Sequence, residues 1–274
     1  MSDRRLTPSN GRVAETGWEG RVEADRFVSG SWHTVTAPLT DLCRAPEGAR
    51  ERQLLLGDRF LVLESRDGWS FGRAAKDGYV GYVADADLGA DLAATHVVAV
   101  RASHLYAAPD IKARDLAALS FGARFRIAHE DRVFFETTDG AFIPKPHLRP
   151  IDRPFRDPVT IAQLLFGTPY LWGGNSSFGI DCSGLVQVAH LACGSPCPGD
   201  SDMQMSLGAP VGAGVPARRG DLLFWEGHVA MAVDAETLIH ANAHHMAVSY
   251  EPLEAAIARI AAQGGGPVTA HRRL

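Results

Sequence analysis

The 274-residue sequence predicts an α+β domain at its C-terminal end, preceded by two small β-barrels. Three observations predict this. The first half repeats itself, its short β-rich runs are separated by Gly/Asp turns, and beyond a proline-spaced stretch the pattern changes to helices followed by strands. The expected partition is an N-terminal extension over 1–27, barrels over 28–91 and 92–150, a linker over 151–158, and the α+β domain over 159–274.

The repeat begins at His33 in "HTVTAPLTDLCRAPEGAR" and again at His96 in "HVVAVRASHLYAAPDIKAR". "LLGDRFLVLE" returns as "SFGARFRIAH", and "KDGYVGYV" as "TDGAFIPK", with an offset that stays between 62 and 65 residues. Asp67-Gly68, Asp77-Gly78 and Asp139-Gly140 are turn dipeptides that favour tight hairpins. Pro150, Pro154 and Pro158 stiffen the linker and resist helix. "DPVTIAQLLFG" then carries Asp157 as N-cap, Pro158 at the first helical position and Gly167 as the stop. "DCSGLVQVAHLACG" has apolar residues at helical spacing and ends on Gly194. The runs "DLLFWE", "HVAMAVD", "TLIHANA" and "AVSYEP" read as strands, "LEAAIARIAAQ" as a helix and "VTAHRRL" as a last strand.

A net charge of −5 with no Lys/Arg run excludes a general nucleic-acid binder, which needs a basic footprint. No stretch reaches the ~18–20 apolar residues of a membrane span, so no membrane partner is expected. Arg4 and Arg5 are followed by no apolar run of the kind a secretory signal has, so a cytoplasmic protein is expected. In that compartment Cys43, Cys182, Cys193 and Cys197 are reduced thiols and form no disulfide framework.

Cys182, His228 and His240 carry the candidate chemistry. Cys182 falls in the first turn of its helix, where unpaired N–H groups and the helix dipole favour a thiolate, while Asp181 near the N-cap opposes it. His228 opens a strand and can act as base. His240 lies on the next strand, where antiparallel pairing is expected to set it beside His228 at ~4.5–5.5 Å to orient that ring. "CGSPC" with His190, and "HANAHH", fall short of a zinc site, which needs four ligands, so no metal and no cofactor is expected.

Two longer blocks resemble known families. "GDRFLVLESRDGWSFGRAAKDGYVGYV" is similar to bacterial SH3 (SH3b) domains, with the second copy lacking the Trp and one Gly of that pattern. "YLWGGNSSFGIDCSGLVQ", "RRGDLLFWEGHVAMAVD" and "LIHANA" resemble the three signature blocks of the NlpC/P60 cysteine peptidases, over about residues 155–274. The resemblance implies a papain-like fold behind SH3-like barrels. It also implies the activity of a γ-D-glutamyl-L-diamino-acid endopeptidase, with a murein tripeptide or tetrapeptide as substrate.

The same resemblance implies the roles. Cys182 is the nucleophile, His228 the base, His240 the orienting residue and Tyr170 an oxyanion donor beside the Cys182 backbone N–H. Asp181 and Ser183, with Glu51 and Tyr79 from the first SH3b domain, match a pocket for the ammonium of a free N-terminal L-Ala. Trp172, Asp200 and Ser201 match substrate-facing positions. Gly199 stands where the relatives usually have an arginine. A free-amine substrate suits recycling of cell-wall peptides. Two other readings stay open: an acyltransferase or amidase on the same scaffold, and a non-catalytic module that binds cell-wall fragments.

Overall fold

A computed structural model describes residues 3–212 and 214–274, so the first two residues of the expected 1–27 extension lie outside the described residues. The chain forms two compact units, the first ending at Arg153 and the second running Pro154–Leu274.

In the first unit, alternating apolar residues build a seven-stranded sheet. Its order is Arg50–Leu55, Leu39–Cys43, Val80–Ala84, Trp69–Ala74, Arg59–Arg66, Ser31–Val35 and Leu88–Ala90. The Asp67-Gly68 turn joins two of these strands with both residues at positive φ, 53° and 83°. That is the conformation a two-residue hairpin loop demands and the reason for the Asp-Gly pair. One face buries Val35, Leu42, Leu54, Phe60 and Val83.

The second copy uses the same strand order: Asp115–Ser120, Ala102–Tyr106, Phe142–Pro144, Phe134–Thr137 and Ile127–Glu130. The counterpart of Arg59–Arg66 breaks after Phe125, however. Arg124–Phe125 therefore joins a separate three-stranded sheet with His96–Val98 and Leu148–Pro150. The expected barrels are thus SH3-like sheets that do not close. Pairing of first and last strands is a long-range choice that local patterning does not encode.

The extension also differs from a separate tail. Val13–Glu15 pairs in parallel with Arg26–Val28, and Val13 packs with Leu61, Leu63, Phe71 and Val80. Arg73 holds Glu15 through two hydrogen bonds of 2.8 Å, which ties the segment to the sheet.

The second unit opens with α1 (Pro158–Leu164), capped by the Asp157 carboxylate on the Val159 N–H at 3.1 Å. Next come α2 (Cys182–Ala192) and a short α3 (Ser201–Gln204), and α4 (Leu253–Ala262) follows the strands. The six-stranded antiparallel sheet runs Ala209–Pro210, Ala270–Arg273, Leu222–Trp225, His228–Ala232, Thr237–Asn242 and Ala247–Pro252. Leu223, Trp225, Ala230 and Leu238 pack with Ala256 and Ile260 of α4. Leu222, Phe224, Val229, Met231 and Ile239 are equally buried, so these strands are covered on both faces. Helix α2 packs against His228–Ala232 and Thr237–Asn242, which sets the stage for the site. Among the described residues no helix is long and apolar enough to cross a membrane.

Candidate active site

Helix α2 begins where it does because Asp181 is its N-cap. One carboxylate oxygen accepts the Gly184 N–H at 2.6 Å and the Ser183 hydroxyl at 3.1 Å. The other oxygen accepts the Gly173 N–H at 2.9 Å, so a single side chain anchors both the helix start and the preceding turn. Cys182 is the first helical residue and is buried at 8% exposure. Gly184 has no room for a side chain, since a Cβ there would overlap the carbonyl oxygen of Gly174. Tyr170 forms a parallel bridge with Ile180, and the Leu171 N–H donates to the Ile180 carbonyl at 3.1 Å, so the "YLWGG" turn is held two residues from the cysteine.

Buried amides lock the surrounding segments onto α2. The Gln204 amide donates to the carbonyls of Ser183 and Pro198, each at 2.9 Å. The Gln187 amide donates to the Cys197 carbonyl at 3.1 Å and accepts from the Asn175 amide at 3.0 Å. Asp200 is the residue before α3 and Ser201 its first residue, so Gln204 fastens both to the helix that carries Cys182.

On the sheet, His228 Nε2 and His240 Nδ1 lie 2.9 Å apart, with ring centroids separated by 5.1 Å. The expected side-by-side register is not what joins them. The ladder between their strands runs only through Met231↔Ile239 and Ala232↔Leu238, and at the histidines a ring-to-ring hydrogen bond takes over. His240 Nε2 is 3.1 Å from Glu251 Oε2. Glu251 is in turn gripped by Arg259 of α4 through two hydrogen bonds of 2.8 Å.

Burial is the largest influence on both rings. It pulls His228 from 6.5 down to about 3 and His240 down to about 4, so both are neutral imidazoles at neutral pH. The Arg259 guanidinium holds Glu251 down at about 2, and Asp221 is held at about 2 by Arg273, the Arg218 N–H and His271 against the opposing effect of burial. All four shifts have the same sign for stability. The unfolded histidines take up protons below about 6.5, and the unfolded carboxylates below about 4, more readily than the folded forms. Stability is therefore lost continuously as pH falls from about 6.5 toward 2. Thermal melts at pH 7, 5 and 4 are expected to show a falling midpoint, and a flat midpoint across that range would contradict these environments.

The structure gathers Tyr170, Asp181, Cys182, Ser183, Asp200 and Ser201 about the start of α2. It carries His228 and His240 on the two strands that α2 packs against. Trp172 is 71% exposed on the turn held by Asp181. Glu51 and Tyr79 belong to the first unit. There the Glu51 carboxylate is ion-paired with Arg4 of the extension, and Tyr79 is buried at 3% exposure. His244 and His245 lie in a turn, because the strand ends at Asn242 and the Asn242 carboxamide oxygen accepts the His245 N–H at 2.8 Å.

Sequence reasoning missed Glu251, Arg259, Gln187 and Gln204. The alternation of "AVSYEP" does put Glu251 on one face with Ser249, which pairs directly with His240, so Glu251 sits diagonally from the histidine. The Arg259 partner has no comparable local signal.

The chain is similar to known proteins in two stretches and in its fold. Residues 42–88 match the Bacterial dipeptidyl-peptidase Sh3 domain, and residues 167–260 match the NlpC/P60 family. The chain is 27% identical to a γ-D-glutamyl-L-lysine dipeptidyl-peptidase of Bacillus cereus over 238 residues, covering 74% of this chain and 70% of that protein. It is 40% identical to dipeptidyl-peptidase 6 of Lysinibacillus sphaericus over 91 residues, which is 32% of this chain and 33% of that protein. Among solved structures, an NlpC/P60 family protein from Bacillus cereus superimposes with a TM-score of 0.75 at 21% identity, over 89% of this chain and 99% of that one. Residues 167–260, which include the capped helix opening on Cys182 and the hydrogen-bonded histidine pair, therefore form an NlpC/P60 domain, and a bacterial SH3 domain over residues 42–88 precedes it.

Proposed function

We propose that the chain is a cysteine peptidase that hydrolyses the γ-D-glutamyl–diamino-acid bond of murein stem peptides with a free N-terminal L-Ala, releasing L-Ala–D-Glu. One observation carries the reading: Cys182 opens a capped helix that packs against the strands bearing a hydrogen-bonded pair of neutral histidines. Similarity to the γ-D-glutamyl-L-lysine dipeptidyl-peptidase of Bacillus cereus supports the choice of bond class.

In this mechanism His228 takes the Cys182 thiol proton, and the sulfur attacks the γ-carbonyl carbon of the D-glutamyl residue. The negative oxygen of the tetrahedral intermediate is met by the Cys182 backbone N–H at the start of α2 and by Tyr170. The C–N bond then breaks and His228 returns its proton to the leaving α-amine of the diamino acid. Water, deprotonated by His228, attacks the thioester, and the C–S bond breaks to release the dipeptide and the thiol.

Amine recognition draws on the Asp181 carboxylate, which in the resting protein also caps α2. A requirement for a free amine suits peptides already released from the wall, and with it a role in their recycling.

The test is mass spectrometry of L-Ala–γ-D-Glu–meso-diaminopimelate, its L-lysine counterpart and N-acetylated copies of both. Release of L-Ala–D-Glu from the free-amine peptides alone is the expected result. Equal cleavage of the acetylated copies would keep the peptidase and remove the amine requirement with the recycling role. No cleavage of any peptide would overturn the reading in favour of an amidase, an acyltransferase or a binding module.

A further inference from the structure

We infer that Glu251, held by Arg259, is a positioning residue that dictates which nitrogen of each active-site imidazole carries its proton. The catalytic consequence rests on the peptidase reading. The proton arrangement itself belongs to the resting protein and can be read without any substrate.

The argument is a chain of single choices. Arg259 donates Nε–H to Glu251 Oε1 and Nη2–H to Oε2, both at 2.8 Å. That bidentate grip fixes an ionised carboxylate, which can only accept hydrogen bonds. His240 Nε2, 3.1 Å from Oε2, must therefore carry its proton and donate it. A neutral imidazole has one N–H, so His240 Nδ1 is left as an acceptor. The atom 2.9 Å from it, His228 Nε2, must then be the donor. His228 Nδ1 is the nitrogen left with a lone pair, and it alone can take a proton from a thiol.

The surroundings support each choice. His240 has no exposed surface and Glu251 is 8% exposed, so water does not compete for these bonds. Burial keeps His240 neutral, and Arg259 keeps Glu251 ionised. Helix α4 packs against Thr237–Asn242 and Ala247–Pro252, and that packing brings Arg259 to the carboxylate. When the Cys182 proton arrives at His228 Nδ1, the ring becomes a cation that still donates through Nε2. Glu251 faces that charge across one ring, remains ionised throughout and receives no proton. Were residue 251 neutral, His240 could turn its proton to Nδ1 and His228 would be forced into the tautomer that cannot act as base.

The experiment is long-range 1H–15N NMR on the wild-type protein with 15N-labelled histidine, beside kinetics of Glu251→Gln. In wild type, His228 and His240 are both expected to be protonated on Nε2 with Nδ1 bare. In Glu251→Gln the two rings are expected to populate the other tautomer, with kcat for the stem peptide falling about 10–100-fold and KM unchanged. A wild-type ring protonated on Nδ1 would overturn the inference, as would a folded Glu251→Gln protein with wild-type tautomers and kcat. If that variant does not fold, the wild-type spectrum decides alone. If wild type cleaves no stem peptide, the peptidase reading fails while the spectrum still decides the wiring.

Discussion

Cys182→Ala is expected to lower kcat on the stem peptide by about 10⁴-fold or more while leaving the fold intact. Removing a nucleophile removes every covalent step, and what survives is the modest acceleration from bound geometry and oxyanion donors. The structural cost is small. Cys182 lies at the edge of the core with 8% exposure, and trading its sulfur for a methyl group empties little volume. The Asp181 cap that starts α2 uses the backbone N–H of Gly184 and does not depend on the thiol. Substrate affinity should therefore survive, and equilibrium binding of the peptide to the variant separates loss of chemistry from loss of recognition. Residual turnover within tenfold of wild type would assign the nucleophile to another group.

Asp221→Ala is expected to destabilise the second unit strongly, by about 2–4 kcal/mol, since its own carboxylate is buried while the Arg273 partner is part-exposed. Asp221 is 1% exposed, and three cationic or N–H donors converge on it. Arg273 donates Nε–H and Nη2–H at 2.8 and 2.6 Å, His271 Nε2 lies at 2.8 Å, and the Arg218 N–H donates at 2.9 Å. These bonds fasten the Ala270–Arg273 strand beside Leu222–Trp225, the neighbour of the strand that begins at His228. Truncation leaves the Arg218 N–H without its acceptor and removes the anchor of the part-exposed Arg273 guanidinium. Differential scanning calorimetry should show the midpoint of this unit falling by about 10–20 °C at pH 7. Asp221→Asn should fall less, since one acceptor oxygen remains. A midpoint unchanged in Asp221→Ala would mean that the cluster is solvated and contributes nothing.

Much of the site was legible because its determinants are local. An N-cap, a cysteine and glycines at fixed positions in "GIDCSGL" specify the start of α2 within a few residues, and the structure begins the helix at Cys182. The Asp-Gly dipeptides marked hairpin turns for the same reason, and both residues of Asp67-Gly68 adopt the positive φ such turns need. What escaped is what depends on distant partners. Arg259 reaches Glu251 from a later helix, and Glu251 reaches His240 diagonally across a hairpin, so no spacing rule connects the three. Arg4 pairs with Glu51 across forty-seven positions, which turned an expected open carboxylate into half of an ion pair. The break in the second repeat, and with it the open sheets, follows from pairing choices along whole strand edges. Short α3 was missed because four residues present no helical periodicity to read.

The most direct test of the central claim is acid quenching of the wild-type protein during turnover of L-Ala–γ-D-Glu–meso-diaminopimelate, followed by intact and tandem mass spectrometry. The thioester mechanism predicts one L-Ala–D-Glu acyl group per protein, mapped to the peptide containing Cys182 and absent from Cys182→Ala. An acyl group on a different side chain would contradict it. So would turnover at the wild-type rate by Cys182→Ala.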